Sequence, residues 1–442
     1  MVIRYSNRTF VSAAALAVAA CQGGTPEAGR SPSGADLADP TPGQIIVDPE
    51  NPAWLSYEGN GPFFMCGPGD PEGFLYRGDR LANGRRRGDQ LALIDKLGPT
   101  GANSLYVMAI RSHGGDGGPD ENPFVDGDPA KGVSAPILAQ WAEWFGEMER
   151  WGVTIVFFFY DDGARVWDTG DRMGSEERAF IRTLVKAFEG YRKLIWVVAE
   201  EYSEALSRER VANIAAEIRA ADDHDHVIAV HQLRGLAFDF ADDPHIDQFA
   251  VQTSYGKGVD SFHQSIIRAF DRAAGAYNLS MSEAHPDHGT GPAANTRRVN
   301  WAAAMAGAYV MVLGWDVANT PIAALEQCGH MVRFMEATRV NRMSPRDDLA
   351  WGSTGYVLAE PGVSYIAYAA NALAPVGLKG METGRYDLTW LDLVTGASIE
   401  HTETSVDAGD QLWPSPEGIG PELAVYVRKT GLEAETEYKP KD

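Results

Sequence analysis

The sequence predicts an α/β protein, a (β/α)₈ TIM barrel followed by a small all-β sandwich domain. Three observations predict it. Between about residues 45 and 345, runs of strand character alternate with runs at helical spacing, and such alternation means parallel strands. The strand-like runs number eight, and eight parallel strands closing on each other are the most economical topology. After residue 346, helix character nearly disappears, and short strand-like runs are punctuated by turn signals such as Glu360-Pro-Gly and Val394-Thr-Gly, as in a small sandwich.

The eight expected strands are 63–66, 104–110, 153–160, a run ending at Ala199, 227–231, 249–254, 278–282 and 309–314. The third reads as buried on both faces, as parallel strands are. Helices are expected over 134–151, 175–193, 207–222, 261–275, 297–308 and 321–339. Trp141, Trp144, Phe145 and Met148 mark the first at helical spacing, and Phe180, Ile181, Leu184, Val185 and Phe188 mark the second. Ser175 is placed as an N-cap, with Glu176 and Glu177 favourable in the first turn. The fifth connection, 233–246, shows no long helix. In the tail, 355–359, 364–369, 385–391 and 423–427 are strand-like.

The chain has 442 residues and a formal net charge of -23. That balance argues against nucleic acid, which needs a basic footprint, and against adsorption to anionic headgroups. An acidic sugar remains compatible, because a local basic patch could hold one. Arg4 and Arg8 open the chain, and an apolar run, 10–20, follows that is too short to span a bilayer. It ends in Val18-Ala-Ala-Cys21, which resembles the lipobox of bacterial lipoproteins. That resemblance implies a signal peptide over 1–20, lipidation of Cys21, and export to a lipid-anchored position at the outer membrane or periplasmic face. Residues 21–44 are rich in Gly, Pro, Ser and Ala and are expected as a flexible tether. The barrel is assigned to 45–345, the sandwich to 346–432 and a disordered tail to 433–442. Cys66 and Cys328 would neighbour each other in a closed barrel. Two buried free thiols are expected, although an oxidising compartment also allows a disulfide.

Glu201, in Leu194-Ile-Trp-Val-Val-Ala-Glu-Glu-Tyr202, and Glu283, in Leu279-Ser-Met-Ser-Glu-Ala-His285, each close a strand run. Catalytic groups of such barrels sit at the C-terminal ends of strands, and a carboxyl pair there is the equipment for cutting a glycosidic bond. Arg111 and His113 follow strand two, Tyr160 and Asp161 strand three, His231 and Gln232 strand five, Tyr255 strand six, and Trp315 and Asp316 strand eight. All are candidates for sugar contacts: Tyr255 as a hydroxyl beside the nucleophile or as packing, Trp315 as a stacking platform. His285 and His288 have weak zinc spacing. The loop 114–128 is acidic without the EF-hand pattern. No metal and no cofactor are expected.

Asn51-Pro-Ala-Trp, Gly59-Asn-Gly-Pro-Phe-Phe and the strand-end glutamates together resemble the apiosidase-like glycoside hydrolases, within the clan of barrels bearing catalytic glutamates on strands four and seven. Trp390-Leu-Asp-Leu-Val-Thr-Gly396 is similar to the small domain named for collagen binding in these proteins. The resemblance implies a retaining hydrolase with Glu201 as acid/base and Glu283 as nucleophile. The clan has Asn before the acid/base, whereas this chain has Glu200, and register with the clan selects Glu201 of the two. The expected function is therefore an exported retaining glycoside hydrolase acting on a poly- or oligosaccharide. The alternative is a non-catalytic carbohydrate-binding lipoprotein or adhesin. The oligomeric state is not indicated.

Overall fold

The computed structural model describes residues 43–431 except 60, 70–72, 112–120, 168, 286–292 and 313. Cys21, His113, His288, residues 114–120 of the acidic loop, the signal segment and the tail 433–442 lie outside the described residues. Those described belong to one compact unit, 38–442. No described helix is long and apolar enough to cross a membrane.

Eight parallel strands form one sheet: β1 (Cys66–Pro68), β2 (Ser104–Met108), β3 (Thr154–Tyr160), β4 (Leu194–Ala199), β5 (Val227–Gln232), β6 (Gln248–Ser254), β7 (Asn278–His285) and β8 (Ala308–Val312). Each of β2 to β8 pairs with the next, and β8 pairs with β1. β1 and β2 meet at a parallel bridge between Gly69 and Tyr106. There Asn103 accepts from the Cys66 N–H at 3.0 Å, and its amide donates to Phe64 O at 2.7 Å. Only glycine fits at 67, because a Cβ would lie 2.4 Å from Ser104 O. The sheet thus comes round to a near-barrel.

The helices are α1 (Gln90–Leu97), α2 (Ala135–Trp151), α3 (Ser175–Phe188), α4 (Arg208–Ala221), α5 (Val259–Ala273), α6 (Ala293–Met305) and α7 (Ile322–Glu336). α2 illustrates the local logic. Its buried stripe includes Ile137, Trp141, Trp144, Phe145 and Met148, and Gly152, at a φ of 74°, closes it by donating to Glu149 O and Met148 O. Several elements differ from expectation, among them β7, which runs on past 282 to His285, and three more. The first strand begins at Cys66, because 63–65 are buried without ladder pairing. Gly174, not Ser175, is the cap of α3. α1, only eight residues long, fills the first connection.

Cys66 and Cys328 are joined as a disulfide between β1 and α7, with Cα atoms 5.2 Å apart, where free thiols were expected. That spacing lies within the range a disulfide spans without backbone movement. The bond encloses a sequence separation of 262 residues. Cys328→Ser is expected to lower unfolding free energy by about 2–4 kcal/mol. Urea unfolding with and without reductant checks this, and identical midpoints for both proteins under oxidising conditions would contradict it.

Beyond α7 the chain builds an all-β region of antiparallel sheets. Six strands, from Ser344–Pro345 to Leu423–Lys429, form one, and Ala350–Gly352, Val376–Met381 and Gly409–Trp413 form the other. A second core, including Val357, Leu378, Trp390 and Val425, lies among them. This region is docked on the barrel helices. Tyr356 stacks on His263 of α5 with centroids 3.7 Å apart, Tyr368 stacks on Trp301 of α6 at 5.7 Å, and Glu422 pairs with Arg297 and Arg298. Tyr356, Ile366 and Tyr368 therefore belong to the main core.

Candidate active site

The site is assembled where β4, β6 and β7 end. β4 is apolar and buried throughout. Glu200 continues its ladder, donating its N–H to Tyr160 O at 3.0 Å. Glu201 then adopts a φ of 35°. Left-handed backbone at a non-glycine residue costs on the order of 1–3 kcal/mol and clusters at functional sites. Here it ends the strand and starts the short turn Tyr202–Glu204.

β6 and β7 pair in simple register up to Val251 and Met281. The next pair is Gln252 with Glu283, so Ser282 has no residue opposite it. A bulge of this kind re-aims the side chains beyond it, and it sets Glu283 beside Gln252. The Gln252 Nε2 donates to Glu283 Oε2 at 2.7 Å and also to Glu201 Oε1. One nitrogen serves both carboxyl groups, so their nearest oxygens lie within two hydrogen-bond lengths, about 6 Å at most.

Burial drives the Glu201 carboxyl up to about 7, and the Glu283, Glu204 and Asp162 carboxylates push the same way, while the Gln252 hydrogen bond pulls it partly back. Asp162, Glu201 and Glu204 place oxygens within 4.8 Å of one another. A cation held there would keep Glu201 ionised and so oppose its use as a proton donor. What the pair offers chemically is a carboxyl poised between acid and base, next to a second carboxyl within a substrate's width.

Residues 139–343 match the family model described as the apiosidase-like catalytic domain. The match supports a glycosidase. It spans both Glu201 and Glu283. A solved glycoside hydrolase is 15% identical, with 88% of this chain and 98% of that one covered and a TM-score of 0.64. A glycoside hydrolase of family 5 from Bacteroides vulgatus is also 15% identical, covering 90% and 96%, with a TM-score of 0.64. A family 5 mannosidase from Rhizomucor miehei is 13% identical, covering 67% and 99%, at a TM-score of 0.50. At these identities the likeness is one of fold. No curated protein matches the chain.

The other residues expected around the glycosidase cleft divide into two groups. Arg111, Asp161, Glu200 and His231 are buried at or beyond the C-terminal ends of β2 to β5. The Arg111 backbone exchanges hydrogen bonds of 2.8 Å with Glu121, and its Nε and Nη2 have no partner among the described residues. Tyr255 is half-buried, its ring edge-on to Phe262 at 6.4 Å. Four residues instead point elsewhere. The Tyr160 hydroxyl donates to Glu177 of α3 at 2.9 Å, so its ring belongs to the strand–helix layer. The Gln232 amide ties the loop beyond β5, donating to Arg234 O and Ala237 O and accepting from the Asp239 N–H. Asp316 caps its own turn, accepting from the Ala318 N–H at 2.8 Å and from the Asn319 amide. Trp315 is only 6% exposed and lines a small cavity with Asn300 and Trp301 of α6 and Met331 of α7. It faces helices, not open cleft.

Trp196 of β4 likewise turns toward the helix layer, donating to Asp222 Oδ2 at 3.0 Å. Gln252, which touches both carboxyl groups, is the site residue that the sequence does not single out. Its signal was a polar side chain on a strand that is otherwise apolar from 249 to 251.

Proposed function

We propose that the protein is an exported glycoside hydrolase that cleaves a poly- or oligosaccharide with retention, using Glu201 as acid/base and Glu283 as nucleophile. The observation that carries this reading is the shared contact of both carboxyl groups with the Gln252 nitrogen, which brings their facing oxygens within about 6 Å; retention uses a spacing of roughly 5–5.5 Å and inversion one of roughly 6.5–9.5 Å. In the first step a Glu283 oxygen attacks the anomeric carbon as the glycosidic C–O bond breaks, and the Glu201 proton passes to the leaving oxygen. In the second, Glu201, now a carboxylate, takes a proton from water as the water oxygen attacks the same carbon. The glycosyl ester breaks, and both groups return to their starting state.

A broad screen of polysaccharides and aryl glycosides tests the activity. The pH profile tests the roles. A carboxyl raised to about 7 is protonated below that pH and lost as an acid above it. Therefore kcat/KM should fall about tenfold per unit above pH 7. A profile flat to pH 9 on a substrate with a poor leaving group would contradict Glu201 as the acid.

The reading includes attachment through lipid on Cys21, which the small residues before that cysteine support. Cys21→Ser should move the protein from the membrane fraction to the soluble fraction, and unchanged fractionation would exclude Cys21 as the anchor.

A further inference from the structure

We infer that Gln252 is a positioning residue that dictates which oxygen of Glu201 carries the catalytic proton. The inference rests on the reading of Glu201 as acid and Glu283 as nucleophile. A primary amide nitrogen has two hydrogens and accepts nothing. In this site one hydrogen goes to Glu201 Oε1 and the other to Glu283 Oε2. The reverse amide orientation would set a carbonyl oxygen against two carboxyl groups, so the donor orientation is the stable one.

Two consequences follow from that arrangement. An oxygen already facing an N–H cannot hold a proton pointing along the same line. In a protonated carboxyl the carbonyl oxygen is the better acceptor, so with Oε1 accepting from Gln252 the hydrogen of protonated Glu201 sits on Oε2, the oxygen turned away from Gln252. Two carboxyl groups this close would otherwise share one proton between them, as like-charged neighbours do. The interposed amide prevents that direct bond. It leaves Glu283 free to stay ionised while the Glu201 proton is held at the oxygen available to the leaving group. The bulge at Ser282 is what makes the bridge possible, because it sets Glu283 in register with Gln252.

Gln252→Met fills the same space without donors, and Gln252→Asn keeps a donor but is too short to reach both groups. Donation favours the ionised form of a carboxyl, so its loss should raise both apparent pKa values. For Gln252→Met, on an aryl glycoside turned over by the native protein, both limbs of kcat/KM against pH should move up by about one unit. On the acid side of the optimum, activity at a fixed pH should fall by up to about tenfold. Gln252→Asn should move the same limbs by less, and it supplies the test if the Met variant fails to fold. A fall in activity with both limbs unmoved would reduce Gln252 to a packing role and overturn the inference. The glutamate variants keep the two readings apart. If Glu283→Ala and Glu201→Ala lose activity but neither limb shifts in the Gln252 variants, only the role of Gln252 fails. If the glutamate variants keep full activity, the underlying assignment fails.

Discussion

Glu283→Ala should abolish turnover of every substrate, whatever its leaving group. Removing a nucleophile blocks formation of the glycosyl-enzyme, and no other carboxyl can take its place without moving. Glu201 is held on the far side of Gln252, and Glu200 lies on the β4 ladder one residue back. The expected loss is roughly 10⁴–10⁶-fold in kcat. Measurement on both an activated aryl glycoside and a natural oligosaccharide checks it, with a thermal melt to show that the fold is intact. Full activity of this variant on the natural substrate would refute the assignment outright.

Glu201→Ala should behave differently, and the difference is diagnostic. Loss of the acid slows substrates whose leaving oxygen needs a proton, by roughly 10²–10⁴-fold. Good leaving groups depart unaided, so an activated aryl glycoside should still form the glycosyl-enzyme. Hydrolysis of that ester then lacks its base. Azide needs no deprotonation and fits the space left by the side chain, so it should accelerate turnover and give a glycosyl azide of retained configuration. Glu200→Ala should remain near wild type in the azide assay. If Glu200→Ala shows the rescue and Glu201→Ala does not, the acid/base role moves back one residue.

The sequence made the strand order legible because most of the strand runs are apolar, but the strand ends only in part, since β2 stops at Met108 and β7 runs on to His285. β4 ends at Ala199 as read, and β5 begins at Val227. That same apolar character hid the facing of individual side chains. Every residue of β3 is buried, so no polar alternation shows which of Tyr160 and Asp161 faces the interior, and Tyr160 turned out to serve α3. Trp315 and Asp316 were placed in the cleft by their position after β8, yet the tight turn there directs one into the helix layer and the other onto its own backbone.

Features set by three-dimensional register were not legible. The slip at Ser282 leaves no mark in composition or periodicity, because both neighbouring residues fit a strand. Without it, Gln252 has no visible connection to Glu283. The closeness of Cys66 and Cys328 is legible from the strand order, but nothing in the sequence separates two buried thiols from the disulfide that the structure shows.

The anomeric configuration of the first-formed product tests the central claim most directly. Proton NMR of the reaction mixture within the first minutes, before mutarotation, distinguishes the two anomers. The account predicts that the product appears with the configuration of the substrate, because Glu201 and Glu283 share a single Gln252 nitrogen, a close spacing that suits direct attack by Glu283. First appearance of the opposite anomer would contradict it.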